Sequence, residues 1–309
     1  MCKIPDGFRY SFSKLELYRH CPMAFYMRYI EQDKSEDEGN AYAEYGTYVH
    51  GILEQYSKGY LLDFMLADVF DAGYEDAIKH DFPPYPKGAW ETYRQQGHDY
   101  LEQFTGYGDN YEILEVEDKF TFDLFGYTIS GIADLILRDK DTGDIVIIDH
   151  KSKSKSSMMK DLPVYIHQQY IYAHHVLLKY GVFPKKLVFN VFRENYMLEQ
   201  DFTEDGYNAA IKWIMDTIQM IESDKDWTVN MNSFYCRNIC DCFNSCPMRD
   251  AILTPVIKTY EYNGQEKSAR EWAEEFGMNT ATLTRRLNKG MTVAEAIAVP
   301  QKKNKTKES

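Results

Sequence analysis

Two residues able to do acid–base and electrostatic work, Asp149 and Lys151, close the apolar run "GDIVIIDHKS". Strand side chains alternate faces with period two, so Ile145, Ile147, Asp149 and Lys151 project together. An acid and a base thereby meet at the end of a buried edge, where a charge must be paired or bind a metal. Two readings follow: a salt bridge that closes the strand, or half of a metal-dependent active site. Asp134, in "SGIADLILRD", sits on the preceding strand candidate, and the link "DKDTGD" permits antiparallel pairing that brings the two aspartates together. Close carboxylates repel, which makes a shared cation the natural third party. Mg²⁺ takes only one or two protein carboxylates, so Asp134, Asp149 and the carbonyl of His150 suffice as ligands. Lys151 would then orient or deprotonate a water, or stabilise charge on phosphate, in phosphodiester hydrolysis.

The elements that must position these groups are legible from periodicity and punctuation. "SFSKLELYRHCP" carries a capping-box pattern, Ser13 with Glu16, and reads as a helix stopped near Pro22. "PMAFYMRYIEQ" reads as a second helix with proline in its first turn. After the acidic loop "DKSEDEGN", helical periodicity covers about 42–80 and 89–105. "YEILEVEDKFTFD", "YTISGIADLILRD" and "DIVIIDHK" are consecutive strands, "PVYIHQQYIYAHHVLLKYG" is a helix ending at Gly181, and a strand at "KKLVFNVFREN" precedes a last long helix. This order predicts an α/β core with a mixed sheet flanked by helices and a helical N-terminal extension. His50 falls on the upstream helix with Glu54 one turn later. Gln168 and Tyr172 share a face of the helix after the Asp149 strand. By themselves, a histidine on an apolar helix and a Gln/Tyr pair one turn apart are ordinary core and surface features.

Taken in order, "YRHCPMAFYMRYI", "GTYVHGILE", "GIADLI", "IIDHKS" and "QQYIYA" resemble the RecB-type branch of the PD-(D/E)XK nuclease superfamily. That branch includes the AddB nuclease domain and CRISPR-associated nucleases of spacer acquisition. The resemblance covers about residues 10–250. It implies the restriction-endonuclease-like core and a deoxyribonuclease that uses Mg²⁺ or Mn²⁺. Asp134 and Asp149 would be metal ligands, His50 a further ligand favouring a manganese-type ion, and Lys151 the catalytic lysine. Gln168 and Tyr172 would position the lysine and the DNA strand. Glu117, in "LEVEDKF", sits loosely where many relatives carry a glutamate. Where relatives often read D-Y-K-T, this chain reads Asp149-His150-Lys151-Ser152 and keeps both charges.

The chain has six cysteines, two near its start (Cys2, Cys21) and four crowded together (Cys236, Cys240, Cys242, Cys246), which points to metal rather than disulfides. A subset of the same family holds a 4Fe-4S cluster with one cysteine before the core and three after it. That resemblance implies Cys21, Cys236, Cys240 and Cys246 as ligands, with Cys242 or Cys240 in question because the first downstream gap is one residue longer than usual. The rival is a local zinc site of the four downstream cysteines.

A different unit follows a boundary near residue 253. In "SAREWAEEFGMNTATLTRRLNKGMTVAEAI", glycines 277 and 290 separate three short helices, and Ser268/Glu271 and Thr292/Glu295 match capping boxes. The expected division is 1–253 for the nuclease core, 254–300 for a helix-turn-helix-like module and 301–309 for a basic tail. The module resembles segments appended to phage homing endonucleases, which implies DNA contacts from Arg285 and Arg286; a protein-binding helical module is the alternative. Lys153 and Lys155, in "KSKSKSSMMK", form a second candidate DNA-binding patch, or simply a solvated loop.

With 44% hydrophobic residues the 309-residue chain can build a large core, and a net charge of −13 argues against a uniformly basic nucleic-acid coat while leaving room for local patches. No apolar run nears the roughly 20 residues of a membrane span, and no signal-peptide core is present at the start. A cytoplasmic enzyme acting on DNA ends or single strands is expected, with a recombinase, helicase or CRISPR-adaptation protein as partner. The competing class is a nucleic-acid-binding adaptor that keeps the nuclease fold without turnover.

Overall fold

The computed structural model describes residues 4–32, 39–84, 87–254 and 258–299; Cys2, residues 33–38 of the acidic loop and the basic tail at 301–309 lie outside them. Helix α1 (Phe12–His20) is capped by Ser11, whose hydroxyl accepts from the Lys14 N–H at 3.4 Å. The expected Ser13–Glu16 box does not form, because Ser13 already lies inside the helix. Pro22 opens α2 (Pro22–Phe25), which widens into a π-helical turn over Tyr26–Glu31. Three helices follow, α3 (Ala41–Ser57), α4 (Leu66–Ala77) and α5 (Ala89–Gln103). They share a core that includes Tyr45, Val49, Phe70, Tyr74 and Leu101.

The sheet then forms in sequence order. Strands β1 (Tyr111–Leu124), β2 (Tyr127–Asp139) and β3 (Ile145–Lys151) are antiparallel neighbours. A parallel neighbour needs a crossover. Helix α6 (Lys155–Tyr180) supplies it, and β4 (Lys186–Val191) pairs parallel to β3. The edge strand β5 (Tyr196–Asp201) returns antiparallel, completing the order β1-β2-β3-β4-β5, and α7 (Glu204–Ser223) follows. One face of the sheet (Ile129, Ile145, Ile147) packs on Leu15, Ile171 and Ile214 from α1, α6 and α7. The other face buries Leu135, Leu137, Val146, Ile148 and Val188. The mixed α/β sheet flanked by helices is the expected fold.

Two sequence expectations needed correction here. The strand expected over "KKLVFNVFREN" ends at Val191 and gives way to a one-turn helix over Phe192–Glu194 with Asn195 left-handed (φ +45°), after which β5 forms where no element is expected. Helix α6 begins at Lys155, eight residues before the expected start at Pro163, with Ser154 as its cap. The lysine-rich segment is therefore half helix rather than loop.

The short helix α8 (Ser233–Asn238) is the last of the first part, and α9 (Arg249–Leu253) starts at its end. Contacts divide the chain into Met1–Arg249 and Asp250–Ser309. In the second unit a hairpin, β6 (Thr259–Tyr262) and β7 (Gln265–Ser268), turns on Asn263-Gly264, both at positive φ. Helices α10 (Ala269–Glu275), α11 (Thr280–Asn288) and α12 (Val293–Ala298) follow, and both capping boxes form. Trp272 sits at the centre of their core, and its Nε1–H donates to Tyr260 O at 2.8 Å.

Helices α4 and α5 meet where Gly97 leaves room for the buried Phe70 ring; a Cβ there would stand 2.3 Å from Phe70 Cζ. Gly97→Ala is expected to destabilise the protein by about 1–3 kcal/mol through overpacking. Thermal unfolding checks this, and an unchanged Tm would show that the interface can relax.

Candidate active site

The pairing of β2 with β3 places Asp134 beside the end of β3: Leu135 pairs with Ile148, and Asp134 Oδ2 accepts the backbone N–H of His150 at 2.7 Å. Asp149 is 1% exposed, and its Oδ2 lies 2.6 Å from Lys151 Nζ. Beyond this ion pair, no donor reaches the buried oxygen among the described residues. Burial drives the Asp149 pKa above the usual carboxylate range; Lys151 opposes the rise and Asp134 adds to it. A buried carboxylate in this state is the kind of group a cation completes.

The strand pair is irregular where the acids gather. Val116 pairs with Leu135 and Asp118 with Ala133, leaving Glu117 and Asp134 opposite each other without ladder pairing. Ala133 and Ile136, three apart, both face the same core, so the alternation of β2 slips at Asp134. Glu117 itself is left-handed, with φ +53°. A non-glycine residue there carries strain of roughly 1–2 kcal/mol, and such strain clusters at functional sites. The result is a third acid in the site: ligand atoms of His50, Glu117 and Asp134 all lie within 4.8 Å of one another. Burial, then the charges of Asp134 and Glu54, push the Glu117 carboxyl up to about 7. In sequence Glu117 matches the family only loosely, because nothing in "LEVEDKF" signals a positive φ.

The remaining expected residues converge on the same point. Gly46 and His50 share a face of α3, and Gly46 lets the helix approach the end of β3, where a Cβ would meet Ser152 Oγ at 3.1 Å. One turn on, His50 Nε2 lies 2.9 Å from the carbonyl oxygen of His150, and its Nδ1 lies 3.6 Å from Asp134 Oδ2. Lys151 Nζ donates to Gln168 Oε1 at 2.8 Å, and Gln168 Nε2 donates to the Tyr172 hydroxyl at 2.6 Å. Burial first, then Asp149, Asp134 and Glu117, raise the Tyr172 pKa well above normal, so this phenol sits beneath all three acids. His150 offers the site only its carbonyl. Its buried ring points to the other face of the sheet, where Asn190 Nδ2 donates to Nδ1 at 2.9 Å, and burial keeps the ring neutral.

The donor set fits a hard divalent ion. Ligand atoms of Glu117, Asp134 and His50 gather within 4.8 Å of one another, His50 also touches the His150 carbonyl, and Asp149 lies outside that tight group but close enough to feel the charges of Asp134 and His50. Octahedral coordination at 2.0–2.1 Å puts neighbouring ligand atoms about 3 Å apart, and the gap between His50 Nε2 and His150 O is 2.9 Å. Mg²⁺ and Mn²⁺ both suit oxygen-rich sets, and the imidazole favours the more nitrogen-tolerant Mn²⁺.

Elsewhere in the same unit, Cys21, Cys236, Cys240, Cys242 and Cys246 line one cavity, so a residue of the N-terminal segment meets the downstream cluster. The thiol of Cys236 interacts electrostatically with Cys240, Cys21 and Cys246. Cys242 Sγ donates to Ala24 O at 3.9 Å and to Asp241 Oδ1 at 3.5 Å, and Cys242 also hydrogen-bonds the Cys240 thiol, which lowers the Cys240 pKa to about 7. Among the described residues, the groups with ligand atoms within 4.8 Å of one another include no cysteine.

The expected DNA-contacting cations differ in how far they are committed. Lys153 pairs with Asp161 at 2.8 Å, while Lys155 lies over the Tyr196 ring at 3.8 Å. Arg286 Nη1 donates to Ala296 O and Val299 O at 2.6 and 2.7 Å, holding α12 to α11. Arg285 on the same helix is exposed.

Because folding lifts Glu117 from 4.5 to about 7, the native state holds a proton that the unfolded chain releases, and stability of the metal-free protein falls as pH rises through that interval. Glu117→Gln is expected to raise the metal-free Tm at neutral pH by a few degrees and to shrink the Tm gain on adding Mn²⁺. Thermal unfolding with and without the ion checks both; a lower metal-free Tm would contradict the electrostatic account.

Comparison with known proteins agrees with this geometry. Residues 9–250 match the PD-(D/E)XK nuclease superfamily. Two solved structures are similar: a protein from Eubacterium rectale provisionally assigned as an exonuclease, and SSO0001. The first is 13% identical, with a TM-score of 0.41, over 81% of this chain and 94% of that one. The second is 19% identical, with a TM-score of 0.34, over 80% of this chain and 89% of that one. No curated protein matches the chain. With that match running through the strands and helices that gather Asp134, Asp149 and Lys151, the chain belongs to the PD-(D/E)XK nuclease superfamily.

Proposed function

We propose that the protein is a Mg²⁺- or Mn²⁺-dependent deoxyribonuclease of the RecB type, acting as an exonuclease on DNA ends or single strands. The observation that carries this reading is the buried Asp149 carboxylate, ion-paired to Lys151 and set beside Asp134. A structural salt bridge would not need two further acids and an imidazole drawn to the same spot. PD-(D/E)XK nucleases use divalent ions, and here Asp134, Asp149, Glu117, His50 and the His150 carbonyl would hold one. Such an ion supplies Lewis acidity at phosphate and lowers the pKa of water. Lys151 has three N–H groups, two of them directed to Gln168 and Asp149, which leaves one for a phosphate oxygen or the attacking water. Gln168, fixed by Tyr172, keeps the ammonium from swinging away.

The cysteine cavity, which gathers Cys21 with the downstream thiols, supports a 4Fe-4S cluster on Cys21, Cys236, Cys246 and one of the neighbouring pair Cys240 and Cys242, with Cys240 the assigned ligand. The cluster would tie the start of the core to its end, so its loss would destabilise the fold before touching chemistry. The C-terminal unit reads as a helix-turn-helix-like DNA-binding module with Arg285 as its outward cation. A protein of this kind belongs in phage or bacterial DNA recombination, repair or processing, alongside a recombinase, helicase or CRISPR-adaptation partner.

With Mn²⁺ and a labelled single strand, Asp149→Asn and Lys151→Ala are each expected to slow cleavage at least roughly a hundredfold while leaving the protein folded. Unchanged cleavage would remove the assignment. Anaerobically purified protein is expected to be brown, with broad visible absorption and bound iron. Colourless protein carrying stoichiometric zinc would replace the cluster with the zinc site.

A further inference from the structure

Arg193 lies outside every motif considered above, on the turn between β4 and β5. Its guanidinium stacks over Tyr93 at 4.0 Å from the ring centroid. Nε donates to Gln96 Oε1 at 3.1 Å, and Nη1 donates to the carbonyl of Ser152, the residue after Lys151, at 3.4 Å. The same turn carries Tyr196, whose ring holds Lys155 at 3.8 Å. Tyr196 pairs with Val191, which pairs with Lys151. Two cations are thus mounted on aromatic faces beside the end of the strand that bears the catalytic lysine.

Neither has a carboxylate partner within 4.0 Å among the described residues, whereas neighbouring Lys153 is neutralised by Asp161. Arg193 is half-buried, and a partly desolvated guanidinium without a counter-ion is costly unless an anion completes it. Its ring and amide contacts fix its orientation, leaving N–H groups of a planar fork suited to phosphate oxygens. Lys155, in the first turn of the 26-residue α6, adds charge beside the positive end of that helix. The chain as a whole carries −13 and the site itself is acidic, so attraction of a polyanion must be local.

We propose that Arg193 and Lys155 form a phosphate clamp that grips the nucleic-acid backbone one step beyond the bond to be cut. The clamp rests on the nuclease reading of the Asp149 site. It is tested by binding in chelator, where no cleavage occurs, using anisotropy of a short labelled single strand on the full-length protein. Arg193→Gln is expected to weaken binding roughly tenfold and to flatten the slope of log K against log salt by about 0.7. Lys155→Gln should flatten it similarly, and Arg193→Lys should restore the slope without the full affinity. A lowered Tm with an unchanged slope in Arg193→Gln, or a wild-type slope in Lys155→Gln, would overturn the clamp. So would displacement of the strand by inorganic phosphate at equal concentration. Wild-type protein that binds the strand in this Arg193-dependent way yet never cuts it with Mn²⁺ would instead overturn the nuclease reading and leave the clamp standing.

Discussion

Three carboxylates held close together, one of them almost fully buried, is the constraint around which the rest of this protein is arranged. Asp149 has given up water for an ion pair with Lys151 alone, and Asp134 and Glu117 press further negative charge on the same space. Left to itself, such a cluster protonates or pushes apart. The fold prevents the second outcome. Asp149 and Lys151 share one face of a strand end that stays paired to β4, and on the side where the β2 ladder stops at Ile148, Asp134 is pinned by the His150 N–H. The acids are kept in a state that a divalent cation relieves, and this is how a stability cost becomes affinity for a metal.

The architecture reads as the means to that end. The parallel step from β3 to β4 requires a crossover helix, and that helix carries Gln168 and Tyr172 back over Lys151. The separate cluster of α3, α4 and α5 delivers His50 from a distant part of the sequence, through the close approach at Gly46. Beyond the sheet, the cysteine cavity gathers the N-terminal segment and the downstream cluster. The order of strands thus decides which side chains meet, while helices with independent cores decide how firmly.

Much of this was legible because it rests on period and spacing. Alternation in "DIVIIDHKS" placed Asp149 with Lys151, helical spacing placed Gln168 with Tyr172, and the short link after Arg138 set the pairing of Asp134's strand. What escaped depends on tertiary context. The left-handed backbone at Glu117 is imposed by a lapse in pairing, and no residue type announces it. β5 escaped because a one-turn helix and Asn195, rather than glycine or proline, make its turn. The hairpin at Asn263-Gly264 does carry a signal, the asparagine–glycine pair of tight hairpins, beside the stronger helical pattern that follows it. Arg286 looked like a groove-facing cation, yet its guanidinium is committed to carbonyls at the end of α12. Arg193 sits in no motif, and its surroundings become visible only once three distant segments are brought together.

The central claim, that these acids and His50 surround one divalent ion, is tested most directly by anomalous diffraction from crystals soaked in Mn²⁺. A single strong manganese peak within bonding distance of Asp134, Asp149 and His50 is the expected result. A map with no such peak, and with Lys151 filling the space between the aspartates, would contradict the account and leave the acid cluster as a structural salt-bridge network.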